Sequence, residues 1–236
     1  MILTVLGQYG PYPAPGGACS GYLLSSDSGR THLMLDAGPG TMGQLFTYVA
    51  LEELSAVVLT HLHFDHMSDM LAMRYALDFS RRAALDVYAP NQPVAVRSLL
   101  TGGKMDLIEP QGATVGEMRL SFIEAVHPAP AVCVCVECDG KRVVYTGDTN
   151  YFDALSLFAG DADLLLADAG CLSGRWNQRS PHMSAELCGR LARECGARQL
   201  VLTHLSPQDE PDAVLEEARA HFAQASVAQQ AARYFI

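Results

Sequence analysis

Residues 57–66 read Val57-Val58-Leu59-Thr60-His61-Leu62-His63-Phe64-Asp65-His66, and the fold follows from how this stretch is read. Its first four residues are apolar or β-branched, the composition of a buried strand. The other six hold His61, His63, Asp65 and His66, so four potential metal donors follow directly on the strand end. Alternate side chains of an extended segment share a face, which throws His61, His63 and Asp65 to one side. His66 follows as the chain turns into a helix predicted from Met67. Such a cluster can offer His61 and His63 to one cation and Asp65 and His66 to a neighbouring one. Imidazole and carboxylate are donors that zinc takes. Three of the chain's eight histidines lie within these six residues, a concentration that a polar loop does not call for.

The run His61-Leu62-His63-Phe64-Asp65-His66 resembles the H-x-H-x-D-H signature of metallo-β-lactamase-fold hydrolases. Four ligand-type residues must coincide in a fixed order, which makes the signature specific. Matches downstream point to the branch that includes ribonuclease Z and related phosphodiesterases. The resemblance implies an α/β (α+β) class and a four-layer αββα sandwich. Residues 1–236 would form a single hydrolase domain, with loops gathering a metal site on one edge of the sheets.

Composition sets bounds on the alternatives. A chain of 236 residues can bury a sizeable core unaided. Hydrophobic residues make up 49% and charged residues 18%, which excludes a disordered or highly charged chain. The net charge of −10, with Lys104 and Lys141 the only lysines, gives no general attraction to nucleic acid. Seven scattered cysteines, mostly in apolar segments, read as reduced thiols in a cytoplasmic protein. Cys135 and Cys138 form a C-x-x-C without a second pair to complete a zinc knuckle, so they read as small buried hydrophobes. The N-terminus lacks the pattern of a signal peptide, and no apolar run approaches the ~20 residues of a membrane span.

Strands are predicted over residues 2–6, 20–25, 31–36, 85–88, 118–125, 131–137, 141–146, 163–167, 199–203 and 231–236. Helices are predicted over residues 42–49, 67–80, 91–100, 184–195 and 211–222. The Gly/Pro-rich stretch at residues 7–17 is a loop in which Gly16 and Gly17 could let backbone approach a site. Asp139-Gly140 between two apolar runs is a type I′ hairpin signal. His32 and His221 read as surface or packed side chains, not ligands.

Several strand ends deliver a polar group. His127 follows one strand, Asp148 of a Gly-Asp-Thr another, and His204 a third. Alone, each reads as an ordinary surface histidine or turn aspartate. The resemblance makes them the remaining ligands, with Asp148 shared between two metals. His61, His63, His127 and Asp148 would hold one ion, and Asp65, His66, Asp148 and His204 the other. It also implies a supporting carboxylate at Asp36, while Asp168 reads as supporting or simply terminal. Two divalent ions are expected. Zinc suits a nitrogen and oxygen donor set, and manganese or iron could compete. A water between two cations loses a proton near neutral pH, which supplies hydroxide for hydrolysis.

The substrate is read from the loop at residues 173–182. His182 resembles the extra histidine of the ribonuclease Z branch, which precedes a helix and faces the scissile phosphate. Asp65 and His182 are therefore the candidate catalytic side chains, and Arg175, Trp176 and Arg179 candidate substrate contacts. Full-length ribonuclease Z enzymes commonly carry a tRNA-gripping arm between the positions of His127 and Asp148; only a short hairpin fits here. The expected substrate is thus a small phosphodiester or nucleotide, while long RNA is disfavoured and no membrane partner is expected. A homodimer is left open. The alternatives are a ribonuclease Z-like tRNA 3′ endonuclease, a lactone, thioester or sulfate ester hydrolase on the same metals, or a non-catalytic binding protein. A redox di-iron role is weaker, because no flavin-binding partner domain is visible.

Overall fold

A computed structural model describes residues 1–236. Two seven-stranded sheets face one another. The first is built from β1 (Ile2–Gly7), β2 (Gly21–Ser25), β3 (His32–Ala37), β4 (Ala56–Val58), β5 (Leu85–Tyr88), β6 (Met105–Ile108) and β14 (Arg233–Phe235). Their spatial order is β14-β1-β2-β3-β4-β5-β6. The second comprises β7 (Ala113–Val115), β8 (Met118–Glu124), β9 (Val132–Cys138), β10 (Lys141–Tyr145), β11 (Leu164–Asp168), β12 (Leu200–Thr203) and β13 (Ala225–Val227). These lie in the order β13-β12-β11-β10-β9-β8-β7. Both sheets are mixed: β3 to β6 run parallel in the first, and β10 to β13 in the second.

The strands are apolar on both faces because each sheet is covered twice. Leu33 and Leu35 of β3 point between the sheets, packing with Leu164 and Leu166 of β11 and Val134 and Val136 of β9. Their alternates turn outward. Met34 and Val57 meet α1 (Thr41–Leu45) and α3 (Asp69–Phe79) through Leu45, Met70, Met73 and Leu77. On the far side Leu165 and Leu202 meet α5 (Asp153–Phe158), α6 (Ala185–Glu194) and α7 (Pro211–Arg219) through Leu155, Leu191 and Val214. The result is four layers, αββα. A one-residue slip in any central strand would exchange its two apolar sets between cores of different shape.

Cys133 and Cys135 point to the helix side and Cys138 between the sheets; all seven cysteines are free thiols. Asp139 and Gly140 both have positive φ, 52° and 73°, as the two-residue turn between β9 and β10 requires.

Some boundaries move. The helix expected over 67–80 begins earlier, as α2 (Phe64–Met67), and resumes as α3 after Ser68. His63 is the extended residue before α2, so Asp65 is aimed by a helical turn and not by strand alternation. Over residues 91–100 only α4 (Val94–Arg97) and a 3-10 turn at Ser98–Leu100 form; Pro93 is itself extended and immediately precedes α4, so the helix does not reach back to residue 91. The strands β6, β7 and β13 and the helix α5 were not foreseen; each is short, and none has a long period. No helix is long and apolar enough to cross a membrane.

Candidate metal centre

The donors converge where strands of the two sheets end. Beyond β4 the chain is strapped from both sides. Thr60 donates its N–H to Asp36 Oδ1 at 2.7 Å, and its carbonyl accepts from Val132 N–H at 2.9 Å. His61 follows, fully buried, with Nδ1 3.2 Å from Thr60 Oγ1 and Nε2 3.6 Å from Asp148 Oδ2. The rings of His61, His63 and His127 form a triangle with centroids 4.6 to 4.9 Å apart. His127 is fixed through Nδ1, which sits 3.1 Å from the Ala129 carbonyl.

The second group lies beside the first. His66 Nδ1 is 2.8 Å from Asp36 Oδ2, which also accepts from Tyr145 Oη–H at 2.8 Å. Its Nε2 lies 3.2 Å from Asp148 Oδ1 and 3.5 Å from Asp65 Oδ2. His204 Nε2 is 3.1 Å from Asp65 Oδ2 and 3.4 Å from Asp148 Oδ2. Asp148 therefore faces both groups. The structure brings together all seven side chains expected at the centre.

His61 and His66 each use Nδ1 on a neighbour and point Nε2 inward, the usual way a second contact sets a ligand's tautomer and direction. The inward atoms lack protein partners. His61 Nε2, His66 Nε2 and Asp148 Oδ1 are buried without a hydrogen bond. Buried polar atoms are almost always satisfied, so orphans pointing at one another mark a place for a cation. The donor atoms of His61, His63, His127 and Asp148 all lie within 4.8 Å of one another, as do those of Asp65, His66 and His204. The residues fit divalent metal.

Electrostatics agree with that fit at His61 and Asp148. Burial, reinforced by His66, takes the His61 pKa well below its usual value and leaves a neutral imidazole. Burial alone would raise Asp148, but His204, His66 and His61 outweigh it and hold the carboxylate well below its usual range. Neutral imidazole and ionised carboxylate are the forms that bind metal. His66 departs from this: burial would lower its pKa, but Asp148 and Asp36 outweigh burial and hold it well above the usual value, so a metal would take the place of that proton.

Backbone strain and close approach are concentrated here. Asp36 and His204 adopt left-handed φ of 56° and 54°, unusual for residues with side chains. Gly147, at φ 54°, passes so close to Thr60 that a Cβ would sit 2.8 Å from the threonine Cβ. In the Gly/Pro-rich loop the close approach belongs to Gly10, where a Cβ would fall 1.9 Å from His204 Nε2. Gly16 and Gly17, the positions expected from sequence, do not do this: Gly16 faces open space and Gly17 packs on Tyr9. Its own bulk-free backbone makes Gly10 the wall behind His204.

His182 sits at the lip of the cluster with its side chain 22% exposed. Its ring stacks on His204, centroids 4.7 Å apart at 24°. Nδ1 lies 2.9 Å from Asp168 Oδ2 and 3.8 Å from Asp148 Oδ2. Burial opposes its protonation, yet Asp168 and Asp148 prevail and push its pKa up to about 9. Asp168 is the residue that sequence reasoning undervalued. Fully buried at the end of β11, it accepts from Thr149 N–H at 3.1 Å and Gly170 N–H at 2.9 Å, and faces His204 Nδ1 at 3.6 Å. The signal was present: an aspartate closing an apolar strand, the same pattern that marks Asp148.

The loop before α6 is only partly turned to the site. Trp176 donates Nε1–H to Asn150 Oδ1 at 3.0 Å, and Asn150 Nδ2 donates to the Ser180 carbonyl at 2.8 Å. Asn150, two residues after Asp148, thus pins this loop beside the cluster. Arg175 is paired with Asp209 and Arg179 is exposed, so neither guanidinium is held on the donors.

Fold and donor set together define a metal-dependent hydrolase. The profile of the beta-lactamase superfamily domain matches residues 31–205, and the chain belongs to that family. It is 33% identical over 231 residues to the probable metallo-hydrolase YhfI of Bacillus subtilis, covering 94% of each chain. The crystal structure of that protein superposes with a TM-score of 0.93, 31% identity and 99% coverage of both chains. Ribonuclease Z of Haloferax volcanii is 28% identical over 285 residues, covering 93% of this chain and 89% of that one. Human tRNase Z, short form, shares the fold with a TM-score of 0.81 at 19% identity, covering 100% of this chain and 99% of that one.

Proposed function

We propose that the protein is a dinuclear phosphodiesterase that cleaves small phosphodiesters or nucleotides, with zinc in both positions. His61, His63, His127 and Asp148 would hold one ion, and Asp65, His66, His204 and the shared Asp148 the other. Such ions supply an acidified water and positive charge opposite the attacked oxygen. The observation that carries the choice of phosphodiester is His182, stacked on His204 and held by Asp168 at 2.9 Å. With Nδ1 engaged by a carboxylate, Nε2 is the free nitrogen, and a cationic ring can give its proton to a leaving oxygen or steady charge on the phosphoryl group. Asp168 keeps that ring charged and oriented. Asp65, 3.1 Å from His204 Nε2, closes the second donor group. Seven free thiols support a reducing, cytoplasmic setting.

Small substrates are favoured by the element between His127 and Asp148. It is a two-residue turn joining β9 and β10, with no projecting arm to grip folded RNA. The net charge of −10 adds no compensating attraction. The likeness to a ribonuclease Z supports the rival reading, tRNA 3′ processing with the grip supplied by another chain. One panel separates them: metal-loaded protein assayed on bis(p-nitrophenyl) phosphate, a dinucleotide, precursor tRNA, a lactone and a thioester. The expected result is turnover of the small phosphodiesters at higher kcat/KM than any other member. Efficient, specific trimming of tRNA by the isolated protein, or turnover confined to the lactone or thioester, overturns the proposal.

A further inference from the structure

A groove of about 470 Å³ lies against the segments on either side of His127 and takes no part in the chemistry above. Its size falls within the ~300–1,000 Å³ typical of small-molecule sites. One wall is made by Pro90 and Asn91 after β5 and by Glu109 after β6. The other is made by the two legs of the loop that carries His127, residues 122–124 and 130–132. The groove is tied to the centre through its base: Val132, which lines it, donates to the carbonyl of Thr60, the residue before His61. Of the donors, the one whose loop borders the groove is also among the accessible ones. His63 is exposed and His127 half-buried, whereas His61, His66 and His204 are closed in.

The lining has a definite chemistry. Three prolines and Phe122 give flat apolar walls, and the Phe122 ring lies against Tyr88 at 6.4 Å and 27°. The polar groups are almost all acceptors. Asn91 Nδ2 donates one of its two N–H groups to Glu109 Oε1 at 3.1 Å, which leaves Glu109 Oε2 available. Glu124 adds a second exposed carboxylate. Ionised carboxylates only accept hydrogen bonds, and two of them repel an anion. The phosphate end of a substrate is therefore directed to the donor cluster, and a planar, donor-bearing end to the groove.

We propose that this groove is the base subsite of the enzyme, taking a nucleobase with an exocyclic amino group. Guanine fits first, since its ring N–H and amino group lie side by side and match the two oxygens of one carboxylate. Adenine follows, and uracil, with no amino group, ranks last. The proposal rests on the phosphodiesterase reading of the donor cluster.

The test uses metal-loaded protein and the p-nitrophenyl esters of guanosine, adenosine and uridine 5′-monophosphate, which share one leaving group and differ only in base. Guanosine over uridine should be preferred in kcat/KM by on the order of tenfold or more, the ratio expected of one hydrogen bond to a charged group. In the double variant Glu109→Gln, Glu124→Gln that ratio should fall to within about twofold of one. Calorimetric titration with guanosine and uridine, which carry no phosphate, gives a second measure: guanosine should bind more tightly to the wild type and lose its advantage in the double variant. A wild-type ratio near one, or a ratio that survives in the double variant, overturns the subsite. If none of the esters is hydrolysed, the phosphodiesterase reading fails, and the nucleoside titration still decides the groove.

Discussion

At the scale of single residues, the centre depends on carboxylates that set the direction of histidines. Asp36 holds His66, and Asp168 holds His182 while facing His204. His182→Ala should keep its metal, since the ring's Nδ1 is engaged by Asp168 at 2.9 Å although His182 also lies within reach of Asp148 and His204, and lose kcat by about a hundredfold or more with little change in KM. Asp168→Ala should show the same fall in kcat. The double variant should be little worse than either single one if the two act as a unit, as steady-state kinetics on the best phosphodiester will reveal. A pH effect belongs to the same pair. In metal-stripped protein the folded His182 pKa of about 9 lies above the ordinary 6.5, so its stabilising contribution is complete below about 6.5 and is lost as pH rises through about 9. Between about pH 6 and about pH 9.5 the unfolding free energy from urea titration should therefore fall more for the wild type than for His182→Ala, by up to about 3 kcal/mol. The ligand-type residues were legible because each stands at the end of an apolar run. Asp168 was not fully legible, because its partners are 14 and 36 residues away in a chain whose folding alone brings them together.

At the scale of elements, the helix α6 places His182. Ser184 caps it, its Oγ accepting from Leu187 N–H at 3.2 Å, two residues beyond the histidine. Ser184→Ala should cost about 1 kcal/mol of stability, seen as a lower midpoint in thermal or denaturant unfolding. It should also loosen the histidine, seen as a lower kcat at unchanged metal content. This helix was readable from sequence: a serine cap, Glu186 in the first turn and a clear apolar stripe. The β9–β10 hairpin was readable too, from Asp139-Gly140 between two apolar runs. Elements without such marks escaped. The strands β7 and β13 are three residues each and get their structure from a neighbouring strand, β8 or β12, not from local preference. The turn at Phe64 that aims Asp65 was hidden because apolar alternation and the first turn of a helix look alike over so few residues.

At the scale of the molecule, the centre is a joint between two sheets. Asp148 faces both donor groups, so Asp148→Ala should lose more metal than Asp65→Ala by elemental analysis of protein purified without chelator. Chelation should lower the melting temperature of the wild type and have a smaller effect on Asp148→Ala, because a ligand that binds only the folded state stabilises it by mass action. Protein without transition metal even after reloading would refute the reading of the cluster as a metal site. The last strand has a different consequence. β14, at Arg233–Phe235, pairs with β1, at Ile2–Gly7, so a segment distant in sequence covers the edge of that strand. During synthesis β1 and β2 can pair at once, but the outer side of β1 waits until residues 233–235 have emerged. Until then it offers unpaired backbone groups to any neighbouring nascent chain. A chain that stopped just before Arg233 would keep every metal donor and still expose that edge. Such a product is expected to aggregate while its hydrolytic centre remains chemically complete.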